Sequence, residues 1–184
     1  MDSIYIKKVL NGNTDAFRYF VENYKNFAFS LSYSILKNKY LAEESVQESF
    51  IKVFNKLNTF KQNSQFRTWF ARIVINESLS KVAGTKDFHK IENLAETEIT
   101  GVEFAMQKLL DQERKFYINQ VFQRLTPEES LVLELFYLKE FTIEEISSMT
   151  GWSPSKVKML NMRGRKNFYS KLKTILKSEM KIAL

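Results

Sequence analysis

The chain has 184 residues, 44% apolar and 14% aromatic, enough for one ordinary domain or two small ones with real cores. Five Gly and two Pro leave little turn material and favour an all-α protein, while zero Cys excludes disulfides and thiolate metal sites. The net charge of +7 is lopsided: residues 151–184 hold nine Lys/Arg against the single Glu179, whereas the first 150 hold 19 basic and 20 acidic residues, so the C-terminal end suits an anionic partner.

No apolar run reaches the roughly 18 residues of a membrane span; "FAFSLSYSIL" is broken by three serines. The start, "MDSIYIKKVL", has no long apolar segment of the signal-peptide kind, and the lack of Cys fits a reducing cytoplasm. His89 is the only imidazole, so histidine-based metal or acid–base chemistry is not expected, nor is a cofactor.

Along the chain, Phe17, Phe20, Val21, Tyr24, Phe27, Leu31 and Ile35 recur at helical spacing, with Asn13 or Thr14 placed to cap the start. "KNKY" interrupts, and a second helix follows with Val46, Phe50, Val53 and Leu57 on one face and Glu43, Glu44, Gln47, Glu48 and Lys52 on the other. After the polar break "NTFKQNS", Ser64 is placed to cap a third helix carrying Phe66, Trp69, Phe70, Ile73 and Val74. These three helices close one small core, giving a first domain over 1–82. The pattern then fades: "IENLAETEITGVE" has four glutamates and no cation, and residues 83–105 read as an acidic linker. A second helical domain, 106–184, follows a block that begins near Phe104, with Leu109, Leu110, Phe116, Val121, Phe122 and Leu125 as core candidates.

Three helix starts come next. Thr126-Pro127-Glu128-Glu129 and Thr142-Ile143-Glu144-Glu145 have a capping Thr with Glu three residues on, and Ser153-Pro154 pairs a cap with Pro at the first helical position. The last two starts frame a helix-turn-helix. Ile146, Val157 and Leu160 form the seam between its helices, Ser147 is small at their closest approach, Gly151 sits in the turn and Trp152 covers the corner. The second helix turns Val157, Leu160, Gly164 and Phe168 inward and leaves Ser155, Lys156, Lys158, Met159, Met162, Arg163 and Lys166 outside. A helix of this kind enters the DNA major groove with its early residues on base edges. Ser155, Lys156 and Met159 are the base-edge candidates, Arg163, Arg165 and Lys166 suit the phosphates, and Ser153 launches the helix. The turn alone would equally serve a repressor or an activator whose N-terminal half senses a ligand or dimerises.

Residues 50–90 add eight Lys/Arg interleaved with Phe54, Phe60, Phe66, Trp69 and Phe70, a mixture that grips single-stranded nucleic acid by stacking and charge. At helical spacing such aromatics equally suit a core.

Taken in order, "AEESVQESFIKVFNKLNTF", "SQFRTWFARIVINESL" and "LTPEESLVLELFYLKEFTIEEISSMTGWSPSKVKMLNMRGRKNF" resemble the extracytoplasmic-function group of bacterial RNA polymerase sigma factors, the first two in region two and the last in region four. The resemblance implies a subunit that binds core polymerase, directs it to promoters and helps to open the DNA, with a cognate anti-sigma factor as a further partner. It implies that Glu43, Glu44, Gln47 and Glu48 dock on core polymerase. It places Asn58, Thr59, Phe60, Lys61 and Gln62, with Arg67, Trp69, Arg72 and Asn76, at the minus-ten element, where an extruded base is captured. The helix after Pro154, including Lys158 and Met162, corresponds to the minus-thirty-five reader. Ser80 stands where the family often has Asp, and "KVAGTKDFHK" replaces an Arg-rich run. In the recognition helix Leu160 takes an Arg position and Asn161 a Leu position, implying an unusual promoter sequence or altered packing.

Overall fold

The computed structural model describes residues 1–61, 63–84 and 115–182, and no strand occurs among them. Its helices are α1 (Asp2–Leu10), α2 (Arg18–Leu36), α3 (Lys39–Lys56), α4 (Phe66–Gly84), α5 (115–123), α6 (Pro127–Leu133), α7 (Ile143–Thr150) and α8 (Pro154–Ile182). The expected linker lies outside the described residues except for 83 and 84, which extend α4; the block from Phe104 with Leu109 and Leu110, and His89, lie outside them too.

Helices α2, α3 and α4 pack on one another around Phe20, Leu31, Ile35, Val53, Phe70 and Val74, all essentially inaccessible. Burying one such Phe or Leu contributes about 2 kcal/mol. Close approach of the three helices depends on small residues: Ser32, Ser45 and Ser78 are buried, and the Ser32 and Ser45 hydroxyls each lie 3.0 Å from that of Ser78. Asn13 caps the 3₁₀ turn Thr14–Phe17 through the Ala16 amide at 3.1 Å, and Asn38 caps α3 through the Leu41 amide at 3.0 Å. Ser64 is not the cap of α4. That helix begins at Phe66, the Gln65 carbonyl accepts the Thr68 and Trp69 amides, and Ser64 falls one residue short of the cap position.

α1 carries no long periodic pattern and was not legible in the sequence, yet Ile6 and Val9 bury into the same core. Two expected core residues are exposed: Phe116 at 56% and Val21 at 36%. Each lies on a helix whose inward face is filled by neighbours, Val121 on α5 and Phe20 on α2.

In the C-terminal unit α6 and α7 both pack on α8. Both Thr capping boxes form, with the Glu129 and Glu145 amides 3.3 and 3.2 Å from the Thr126 and Thr142 hydroxyls. The corner between them is a π-turn, Glu134–Leu138, followed by Glu140 at φ 60°. The two units touch: α6 lies against α2 and α7 against α4.

Candidate nucleic-acid and polymerase interfaces

The turn fixes the angle of α8. Gly151 closes α7 at φ 73°, a conformation that favours glycine, and the Ser147 hydroxyl donates to the Trp152 carbonyl at 2.6 Å. The Ser153 hydroxyl then accepts the Lys156 amide at 3.2 Å, so α8 starts at Pro154, where an N–H is not needed. Ile146, Val157 and Leu160 are fully buried at the seam. A Cβ on Gly164 would stand 3.2 Å from Leu133 Cγ, which is why α6 and α8 approach so closely there.

Ser153, Ser155, Lys158, Met159, Met162, Arg163, Arg165 and Lys166 are exposed, and Lys156 is half-buried. Three of these cations have internal partners. Lys156 Nζ sits 2.9 Å from Glu128 and 4.4 Å above the Trp152 ring. Arg163 Nε donates to Glu129 at 2.6 Å, and Arg165 reaches the Tyr137 hydroxyl at 3.5 Å. Burial pushes the Glu129 carboxyl up, but Arg163 and the Thr126 amide and hydroxyl outweigh it and hold the group below the usual carboxylate range. Leu160 takes a core place, and Asn161 Oδ1 is buried without a hydrogen-bond partner. The departure from the family pattern at 160–161 is therefore one of packing.

At the other end, Asn58, Thr59 and Lys61 are exposed, and Gln62 lies outside the described residues. Phe60 is buried, edge-on to Phe66 and 5.1 Å from Trp69, so the loop is anchored by aromatic packing. Trp69 is half-buried in that cluster; Asn76 is exposed, and Arg72, also exposed, donates through Nη2 to the Ser148 carbonyl of α7 at 2.5 Å. Asn76 and Ser80 share a shallow depression with Lys52 and Lys56, where Lys52 is ion-paired to Glu77.

A cavity of about 350 Å³ opens beside the loop, lined by Phe60, Ser64, Gln65, Phe66 and Arg67 on one side and by Asp2 and Tyr24 on the other. Asp2 accepts the Tyr19 and Tyr24 hydroxyls at 2.9 and 2.7 Å, fixing the start of α1 as a wall of this cavity. Burial first, and then the Asp2 carboxylate, push both phenols above their ordinary pKa. Nothing in the sequence signalled Asp2, because its partners lie 17 and 22 residues away.

On α3, Glu43 and Gln47 are exposed, and Lys81 of α4 bridges Glu44 and Glu48 at 3.0 and 3.1 Å. Glu44 and Glu48 are thus pinned before any partner arrives, and Glu43 lies 3.9 Å from Lys39 one turn earlier on the same helix. Tyr40 and Ile51, 73% and 61% exposed, continue the same stripe one helical turn to either side. Their large exposed side chains on an otherwise polar face are the signal that charge counting overlooked.

Among the described residues no helix is long and apolar enough to cross a membrane, and no group of three His, Cys, Asp or Glu is placed to hold a metal ion. Family models for Sigma-70 region 2 and Sigma-70 region 4 match residues 20–86 and 115–168. The ECF RNA polymerase sigma factor SigW of Bacillus subtilis is 29% identical over 181 residues, covering 92% of this chain and 96% of its own. The ECF RNA polymerase sigma-E factor of Salmonella typhimurium is 24% identical over 96% of both chains. Among solved structures, CnrH in complex with the cytosolic domain of CnrY superposes with a TM-score of 0.63 at 19% identity, covering 95% of this chain and 96% of that one. RpoE in complex with the anti-sigma factor NepR from Bartonella quintana gives 0.66 at 16%, covering 85% and 96%. With both regions matched in order on two helical units, the chain belongs to the extracytoplasmic-function group of RNA polymerase sigma factors, which direct core polymerase to promoters in transcription initiation.

Proposed function

We propose that this sigma factor divides promoter recognition between the exposed face of α8, at the minus-thirty-five element, and the loop 58–65 with the outer face of α4, at the minus-ten element. The observation that carries the reading is the split of α8 into a buried seam of Val157, Leu160 and Gly164 and an exposed face of Ser155, Lys158, Met159 and Met162. That split presents one helix edge to a major groove and leaves its early residues free for base edges. Lys158, with Lys166, supplies phosphate attraction; Lys156, Arg163 and Arg165 also brace the domain.

In this reading an extruded base enters the cavity between Asp2, Tyr24 and the Ser64–Arg67 segment, where Phe60 and Phe66 offer ring surface and Asp2, Ser64 and Gln65 offer polar contacts. Unstacking a base costs a few kcal/mol, and a lined pocket offsets that. Core polymerase docks on α3 through Glu43, Glu44, Gln47 and Glu48 with Tyr40 and Ile51 beside them. The division into 1–82, 83–105 and 106–184 follows the same roles, with the acidic segment joining the two readers. Polymerisation belongs to the core enzyme, and the chain itself is assigned no catalysis. Its site of action is the cytoplasm, and an anti-sigma factor, of the kind seen with RpoE from Bartonella quintana, is its expected inhibitor.

Footprinting of the reconstituted holoenzyme tests the assignment. Lys158→Glu should erase protection upstream while leaving core affinity intact, and joint substitution of Glu44 and Gln47 should do the reverse. Loss of core binding in the first variant would refute the division of roles.

A further inference from the structure

The chain has no cysteine, so its six methionines carry all of its sulfur. Among the described side chains Met149 is fully buried in the core, whereas Met159 and Met162 are 46% and 68% exposed. They stand three residues apart on α8, one above the other on the face that the reading above gives to base edges. Met1 is exposed as well, but it belongs to the N-terminal unit, where it lines the cavity beside the loop 58–65. A thioether has no proton to lose, so access rather than a shifted pKa decides which methionine an oxidant reaches.

With a hydroperoxide, the sulfur lone pair attacks one peroxide oxygen; an S–O bond forms as the O–O bond breaks. For hydrogen peroxide the released hydroxide takes the proton left on the transferred oxygen and departs as water. The sulfur is oxidised and the peroxide reduced by the same electron pair. The product, methionine sulfoxide, is polar where the thioether was apolar. Pressed against an apolar base edge, its oxygen is stripped of water without gaining a donor. The exposed Lys158 and Lys166 of the same helix are untouched by this chemistry, so attraction to phosphates persists.

We propose that Met159 and Met162 form an oxidant-sensitive modification site, at which oxygen transfer from a hydroperoxide turns the base-reading face of α8 from apolar to polar and weakens minus-thirty-five recognition while fold and core binding are kept. Methionine sulfoxide reductases, one for each epimer, reverse the change. The inference rests on the assignment of this face of α8 to the minus-thirty-five element.

The test treats the full chain with hydrogen peroxide, removes the oxidant and reconstitutes holoenzyme with untreated core. Peptide mass mapping should find an added oxygen on Met159 and on Met162 while Met149 stays reduced. Promoter affinity should fall on the order of tenfold, the factor for a polar group desolvated without a partner. Core affinity, circular dichroism and the salt dependence of DNA binding should be unchanged, and an equal loss of core affinity would overturn the proposal. The double variant Met159→Leu, Met162→Leu removes both sulfurs and keeps Met1, Met106, Met149 and Met180. Scored against its own untreated affinity, it should show no effect of peroxide. An equal loss in that variant would put the lesion on another methionine and overturn the proposal, as would undiminished affinity in wild type carrying both oxygens. Both reductases applied to oxidised wild type give a readout that needs no variant: mass and affinity should return together, and restored mass with affinity still low also overturns it. The assignment beneath is read on untreated protein by Lys158→Glu: retained upstream protection there sinks the assignment, whereas lost protection with peroxide-insensitive binding sinks the modification alone.

Discussion

Lys37 ends α2 in a left-handed conformation, φ 57°, and its ammonium is carried under the recognition unit against Phe122 and Ser130. Burial pulls its pKa down from 10.5 to about 7, with the Glu134 carboxylate opposing part of that fall. Between these two values the folded chain binds fewer protons than the unfolded one, so stability must rise with pH. The gain is complete above the unfolded value and is lost as pH falls through the folded value near 7. At about 1.4 kcal/mol per unit of pH, the step from pH 7 to 8.5 should add about 2 kcal/mol. Other perturbed groups lie outside this window: Glu77 and Glu129 are held below the carboxylate range, and Lys81, Tyr19, Tyr24 and Tyr33 are pushed above theirs. Urea unfolding at pH 7 and 8.5 measures the step. Lys37→Met keeps the aliphatic stem but does not titrate, so it should lose this part of the slope. The same pH dependence in both proteins would refute the burial argument.

Other expectations concern single packing or charge features. Asn161→Leu removes an unpaired buried oxygen and replaces a poor helix former, so thermal unfolding should show a gain of about 1 kcal/mol. Ser78→Val puts a branched apolar side chain into the buried Ser32–Ser45 contact and should cost about 2 kcal/mol through overpacking and two unpaired hydroxyls, measured by urea unfolding. Glu129 is 2% exposed and receives Arg163 and Asn167, so Glu129→Gln should cost about 2 kcal/mol at neutral pH. Because the folded pKa of Glu129 is depressed, its contribution is full above the ordinary carboxylate range and vanishes as pH falls through the folded value; the wild-type advantage over the variant should therefore disappear in acid titration.

The parts of this molecule that were legible in the sequence are those governed by local chemistry. Thr126, Thr142 and Ser153 announced three helix starts because a cap and the amides it satisfies lie three residues apart. Gly151 and the Ile146–Val157 seam marked the turn for the same reason of short range. What escaped was set by distance along the chain. Asp2 meets Tyr24 across 22 residues, Lys37 meets Ser130 across 93 and Arg72 meets Ser148 across 76. None of these pairs leaves a periodic trace, so α1 and the contact between the units had no signal to read. Charge counting on α3 and α8 likewise counted cations and carboxylates that turn out to hold each other, as Lys81 does with Glu44 and Glu48.

This last point narrows where promoter specificity resides. Leu160 is fully buried and Asn161 half-buried, so neither departure from the family pattern adds a side chain to the outer edge of α8. An Arg at 160 would have to leave the seam to reach DNA, and the apolar place it vacated would need a new occupant. The swap therefore trades one packing scheme for another, and on the reading proposed above base and phosphate contacts are left to Ser155, Lys158, Met159 and Met162 on the exposed face. Two of those four are methionines, 46% and 68% exposed, which offer flexible apolar contact and no fixed hydrogen bond. Apolar contact in a major groove selects the thymine methyl group. Met159→Gln, which substitutes a donor–acceptor pair suited to adenine, should shift preference at one minus-thirty-five position from thymine to adenine by about 1 kcal/mol, or roughly fivefold, in competition binding by the holoenzyme. An unchanged base preference with unchanged affinity would remove Met159 from the base-reading set.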